Sequence, residues 1–292
     1  MHKDVRVAST WLHRSAWGVA LALDDVREVC ATAQSHIDEL LQSPSLRRPG
    51  PHTAETVNRL RETARVSAVA LEGIQMSLPA YQGIRGDGSP IAQIIRITEA
   101  LLAASHADSD LFIAQPLRAL ARWHVLATSA TDIPDDERGR PRQAHAEVTA
   151  DPLNSRIDPA DAGETLQAVM DCVTRADSSA LAIAAVVHGL IAAGQPFAQA
   201  NALLARCAAR AVLVARGADP DGLVPFEAAI IGGGRPKYVN ELAQLCNDLD
   251  GTDASNRWAR WIQWHSTCVA LSAKHALNEP PNDSASDTSS RA

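Results

Sequence analysis

The run 180–193, ALAIAAVVHGLIAA, constrains this chain more than any other segment. It carries no charge, and its one ionisable side chain is His188. Its fourteen residues exceed an ordinary strand and fall short of the about 18 needed for a membrane span. A helix of that length, apolar on every side, belongs at the centre of a helical domain. Gly194 ends it, and Gln195-Pro196-Phe197 forms a turn before a second helix over 200–215. Phe197 is the only aromatic residue of that turn and is expected to pin it to the core.

The rest of the chain encodes helices to surround it. Hydrophobic residues make up 46% of the 292 residues but aromatics only 4%, so alanine and leucine fill the apolar positions and favour helix over sheet. Within 23–41, Val26, Cys30, Ala33, Ile37 and Leu40 form one stripe. Within 54–72, Val57, Leu60, Ala64, Ala68 and Leu71 repeat at the same steps, and Gly73 stops the helix. The stretch 43–52 reads as a linker and 81–88 as a glycine-containing loop. Ser89-Pro90 caps a helix over 91–104, with Ile94, Ile97, Leu101 and Leu102 on its apolar side. Further helices are expected over 116–130, 163–175, 226–231, 238–249 and 256–277. Alternating strand patterns are scarce. The expected fold is all-α, with any β structure limited to a short hairpin near 141–151, and the polar stretch 279–292 is expected to be a disordered tail.

Charge and cysteine usage narrow the function classes. A formal net charge of -7 argues against nucleic acid or an anionic membrane as a general partner. No leader or membrane-spanning segment is evident. The five cysteines, Cys30, Cys172, Cys207, Cys246 and Cys268, lack any CxxC pair. They read as buried thiols of a cytoplasmic protein with no metal site. A homo-oligomer remains open.

Chemistry concentrates after the central run. Free backbone N–H groups at the start of the second helix suit an anion. Asn201 lies in its first turn, and Arg206 lies within reach of a phosphate or carboxylate. His188 and His124 read as core histidines. The triple glycine 232–234 reads as a connection between helices, since it lacks the Lys-Ser/Thr of a phosphate loop. Trp258, Trp261 and Trp264, spaced by three, either pack a terminal helix or form a partner surface. No GxSxG elbow and no strand–glycine–helix dinucleotide unit is present.

The string 195–206, QPFAQANALLAR, resembles the signature HPFx(D/E)GNGRxxR of the Fic family of AMP-transferring proteins. Pro196, Phe197, Asn201 and Arg206 match. The catalytic histidine corresponds to Gln195, the magnesium-binding acid to Gln199, the two nest glycines to Ala200 and Ala202, and the first arginine to Leu203. The flanking AAVVHGLIAAG and AARAVLVARGADPDGL look like an actinobacterial branch of Fic-like proteins. PLRALARWHVLA with PDDERGRPR resembles the approach to the family's flap, in which His145 would fall, and GGGRPKYVNELAQL with NRWARWIQW resembles its last helices. The resemblance implies a helical extension over 1–112, a Fic-like core over 113–277 and the tail 278–292. It also extends to the inhibitory pattern (S/T)xxxE(G/N): Glu72 and Gly73 match, while Ala68 replaces the hydroxyl residue. In relatives that glutamate binds the second arginine, here Arg206, and blocks the γ-phosphate position.

In the family the histidine takes a proton from a target hydroxyl, which attacks the α-phosphorus of ATP beside magnesium. Gln195 is no base near neutral pH, and loss of a positioned base typically costs about a hundred- to ten-thousand-fold. Gln199 has no charge for magnesium, so the metal is not expected to bind in the family manner. Ala200 and Ala202 restrict angles that glycine permits. The resemblance therefore implies a pseudoenzyme related to protein adenylyltransferases. It would act as a regulatory or interaction module with a protein partner at the cleft or flap. Weak binding of ATP or another nucleotide would rest on Gln199, Asn201 and Arg206. The alternative is a nucleotidyl- or phosphoryl-transferring enzyme with altered chemistry in the same cleft.

Overall fold

The computed structural model describes residues 10–84, 88–143, 160–247 and 253–278, and among these every regular element is helical. In chain order the helices are α1 (Arg14–Ala20), α2 (Asp24–Leu41), α3 (Pro44–Arg47), α4 (Pro51–Leu71), α5 (Leu78–Ile84), α6 (Pro90–Ala107) and α7 (Ser109–Ala114). They continue with α8 (Pro116–Ala127), α9 (Ala162–Val173), α10 (Ala180–Gly194), α11 (Asn201–Ala215), α12 (Phe226–Gly232), α13 (Arg235–Cys246) and α14 (Ala254–Asn278). Among the described residues no helix is long and apolar enough to cross a membrane.

The uncharged run is the axis of the molecule. Every residue of α10 after its first is buried, and α9, α11, α13 and α14 surround it. The interior position of Gly189 has a steric cause: a Cβ there would lie 2.8 Å from Trp261 Nε1 and 2.9 Å from Trp258. These tryptophans bring α14 onto α10. Trp261 Nε1 donates to the Ala185 carbonyl at 2.7 Å, and Trp258 Nε1 donates to the Trp11 carbonyl at 2.7 Å. Trp258 and Trp261 thus pack the terminal helix, while Trp264 is half-buried and stacks on Tyr238.

Helix starts follow the capping chemistry of the sequence. The hydroxyls of Ser89 and Ser179 accept from the third residue along, Ala92 and Ala182, each at 3.1 Å. Gly73, at φ 92, turns the chain away from the end of α4.

Some local expectations change. The loop expected over 81–88 begins as helix α5, because Tyr81 is buried in a small cluster with Val69 and Ile95. The linker expected over 43–52 holds the single turn α3 and the start of α4. On α6 the buried positions are Ala92, Ile95, Thr98, Leu101 and Ser105, so Ile94 lies off the core face and is exposed. Helix α1 is too short to show a period, yet it buries Trp17 completely. The expected hairpin from residue 144 onward, His145 with it, and the tail from 279 lie outside the described residues. The boundary expected at 112 falls within α7, and one core cluster runs across it from Trp11 to Ala276.

Candidate functional site

The turn between α10 and α11 is held by its own side chains. Gln195, at φ 48, and Ala200, at φ 61, both take the left-handed conformation that glycine prefers. Ala200 therefore adopts an angle that alanine disfavours, while Ala202 sits in the ordinary helix of α11. Asn201 staples the turn: Oδ1 accepts from the Phe197 N–H and Nδ2 donates to the Phe197 carbonyl, both at 2.9 Å. Phe197 is buried and stacks on His124 with ring centres 4.6 Å apart. His124 Nδ1 in turn accepts from the Gly139 N–H at 2.9 Å. Burial without a charged partner lowers the His124 pKa to about 4, so the ring is a neutral acceptor.

Arg142 is the residue that sequence reasoning missed here. Its backbone N–H donates to the Pro196 carbonyl at 2.9 Å, its Nε donates to the Gln195 carbonyl at 2.7 Å, and an Nη donates to the Ala160 carbonyl. It ties residues on both sides of 144–159 to the turn. The sequence shows it only as an arginine in a Pro/Gly-rich loop, and its burial and its carbonyl partners appear only in the fold.

Gln195 lies where the resemblance sets the catalytic histidine. It is fully buried, and neither its Oε1 nor its Nε2 finds a hydrogen-bond partner among the described residues. Gln199 instead lines a cavity of about 360 Å³. Glu72 closes one side of that cavity, with Pro90, Ile94, Ile97 and Thr98 of α6 beside it. The end of α8 supplies Ala127, and Ala200, Ala202 and Leu203 supply the floor. Among the described residues that line it, Glu72 is the one formally charged side chain. Asn201 and Arg206 do not line the cavity.

Arg206 lies on the far side of Glu72. One of its Nη groups forms an ion pair with Glu72 Oε1, so the two expected partners do face one another. The arginine side chain is 1% exposed and the glutamate 20%. Burial disfavours the guanidinium charge, but the neighbouring carboxylate of Glu72 outweighs it, and the Arg206 pKa is raised. Arg206 Nε and Nη1 have no hydrogen-bond partner among the described residues. Gly73, next to Glu72, packs under Arg235, whose Nη1 would lie 3.3 Å from an added Cβ.

His188 is a core histidine. Its Nε2 shares a 2.8 Å hydrogen bond with the Tyr238 hydroxyl, and burial keeps its pKa well below the usual value, helped by His265 and Arg206. His265, edge-on to His188, is lowered to about 3 by burial. Among the described residues no group of three His, Cys, Asp or Glu side chains is placed to hold a metal ion.

No protein-family model and no curated protein matches the sequence. Solved structures do resemble the fold. A Fic family protein from Desulfovibrio desulfuricans G20 superposes with a TM-score of 0.64 at 14% identity, over 87% of this chain and 74% of that one. Fic-1 from C. elegans gives 0.57 at 17% identity, over 86% and 72%. At these identities the likeness concerns architecture, and the architecture of this chain is an all-α, Fic/Fido-like helical bundle.

Proposed function

We propose that this protein is a regulatory Fic-fold module that engages a protein partner at the cleft beside Gln199 and does not perform standard AMP transfer. The observation that supports this best is the lining of the cleft. Among the described residues that line it the one formal charge is the Glu72 carboxylate, where a polyphosphate would need cations. Gln195 adds to it, being a buried amide with no capacity as a base near neutral pH. Gln199 offers magnesium a neutral oxygen in place of a carboxylate. These residues do not fit a magnesium nucleotide held in the family manner, and binding of ATP or a relative is limited to weak association.

What the cleft does fit is an apolar side chain of a partner segment. Ile97, Leu203 and the alanines make its walls, and Ile94 lines it while standing exposed. The five cysteines are free, which fits a reducing compartment, and we read the protein as cytoplasmic.

The test is incubation of the purified chain with α-labelled ATP and magnesium, alone and with candidate peptides. No incorporation above background is expected. Metal-dependent labelling that disappears in Gln195→Ala would overturn the reading, and transfer from γ-labelled ATP alone would favour altered phosphoryl chemistry in the same cleft.

A further inference from the structure

A second cavity, of about 440 Å³, lies between α4, α12, α13 and α14, apart from the cleft. Its walls are largely apolar: Leu60 from α4, Ile230 from α12, and Trp264 and Leu271 from α14. Leu271 is 45% exposed and Trp264 is half-buried, so among the described residues the cavity presents an apolar surface to solvent. Lys237 and His275 stand at its edge, both exposed, and neither makes an ion pair among the described residues. Among the described residues no carboxylate lines it.

That last point separates it from the other polar cavity. The 280 Å³ cavity at α4, α6 and α11 has Arg61, Arg65 and Arg210, but Glu99 and Asp221 line it as well and Arg210 is bound to Glu227. Its charges are largely balanced. Lys237 makes no ion pair among the described residues, and Glu241, one turn along α13, stands outside the cavity lining.

We propose that the cavity at Trp264 and Lys237 binds a small apolar anion, a carboxylate on a hydrocarbon body, with the carboxylate on Lys237 and His275 and the chain against Leu60, Ile230 and Trp264. Volume, apolar walls and a few convergent polar groups are the general attributes of a small-molecule site. A lysine ammonium supplies a charge-assisted contact to the head group without the cost of breaking an existing ion pair. The Cys268 thiol lines the wall, and burial pushes it up to about 12. It is therefore a neutral, weakly polar surface, and binding is non-covalent. Because Leu60 belongs to the same helix whose end carries Glu72, a bound ligand also fastens α4 to α14.

Sodium octanoate, with about ten non-hydrogen atoms, is the probe, used well below its micelle concentration; at ordinary ligand efficiency it should bind with a Kd on the order of 100 μM. Calorimetry on the full chain should give one saturable site. The tryptophan emission change on binding should vanish in Trp264→Phe. Lys237→Ala, at an exposed position, should weaken octanoate about tenfold, and octanol should bind the native chain about tenfold more weakly than octanoate. Ala228→Leu, which fills the cavity and keeps Lys237 and His275, should abolish binding at an unchanged melting temperature. Non-saturable uptake, equal affinity for octanol and octanoate, or unchanged affinity in Lys237→Ala would each overturn the proposal.

Discussion

Arg206 and Arg210 stand one turn apart on α11, both buried and both facing a glutamate, yet they sit in different structures. Arg210 is enclosed by its own neighbourhood. Its Nη2 meets Glu227 Oε2 at 2.6 Å, and its Nη1 donates to the carbonyls of Gly222 and Val224 at 3.2 and 3.3 Å. Glu227 is 0% exposed and lies only seventeen residues along the chain. Arg206 has one ionic partner, Glu72, which comes from a helix end 134 residues away and keeps 20% of its side chain in solvent. Two of its nitrogens have no partner among the described residues, against one, Nε, for Arg210. The first pair closes the core on itself. The second closes the core against α4, and its integrity depends on that helix staying docked.

The comparison is broken most directly at Glu227. Glu227→Ala leaves the Arg210 charge nearly buried and without its carboxylate, with only the edge of the 280 Å³ cavity beside it. Removing one member of such a pair typically costs about 3–5 kcal/mol. Urea unfolding should show a large drop in the midpoint. A loss no larger than that of Glu72→Ala would mean that the two arginines are energetically alike and the distinction fails.

Glu72→Ala should cost less, about 2 kcal/mol, because the end of α4 can swing away and let water reach Arg206 before the core unfolds. Arg206→Ala should also destabilise, with lost packing added to lost charge. The double variant should cost clearly less than the sum of the two, since the second substitution removes a group already stripped of its partner. Hydrogen exchange sharpens the picture. In Glu72→Ala the amides of the last turns of α4 should lose protection while those of α10 keep theirs. Additive energies, or equal loss of protection in both helices, would deny that the pair fastens α4.

The two pairs also differ in how far the sequence revealed them. Arg206 and Glu72 stood out only through resemblance, because nothing in composition links residues 134 apart. Arg210 carried a plainer signal that went unused: a charged residue inside an apolar helix, with Glu227 in the apolar stretch VPFEAAI shortly after. The helices themselves were legible where an apolar stripe ran for several turns, as in α2 and α4, or where an uncharged run was long enough, as in α10. Short elements escaped, α1, α3 and α5 among them, since a turn or two gives no period and Tyr81 is fixed by tertiary contact. The phase of α6 was misjudged for a related reason. A helix with Ile91, Ile94, Ile95 and Ile97 offers two apolar stripes, and only packing decides that Ile95 goes inside. Asn201 was legible as a motif position but not as a staple, because its bonds to Phe197 depend on the turn's conformation.

The smallest expected effect separates backbone from side chain within the turn that precedes both arginines. The sequence replaces two glycines of the resembling motif by alanine, and the two positions prove unlike. Ala200 holds φ 61, where an L-residue carries a penalty of about 1 kcal/mol relative to glycine. Ala202 lies in the first turn of α11 with ordinary helical geometry. Glycine at either position also loosens the unfolded chain, which subtracts about 0.4–1 kcal/mol from folding. At Ala200 the two terms nearly cancel, with relief of strain the larger, so Ala200→Gly should stabilise by about half a kcal/mol or leave stability unchanged. At Ala202 only the entropic loss and poorer helix propensity act, and Ala202→Gly should destabilise by about 1 kcal/mol. Scanning calorimetry of the two variants against the parent reads the difference. The order Ala200→Gly above parent above Ala202→Gly in melting temperature is the expected result. Equal losses at both sites would mean that the methyl of Ala200 contributes packing in the cleft that outweighs its backbone strain, and the turn would then be shaped by its side chains even at the residue whose angle glycine favours.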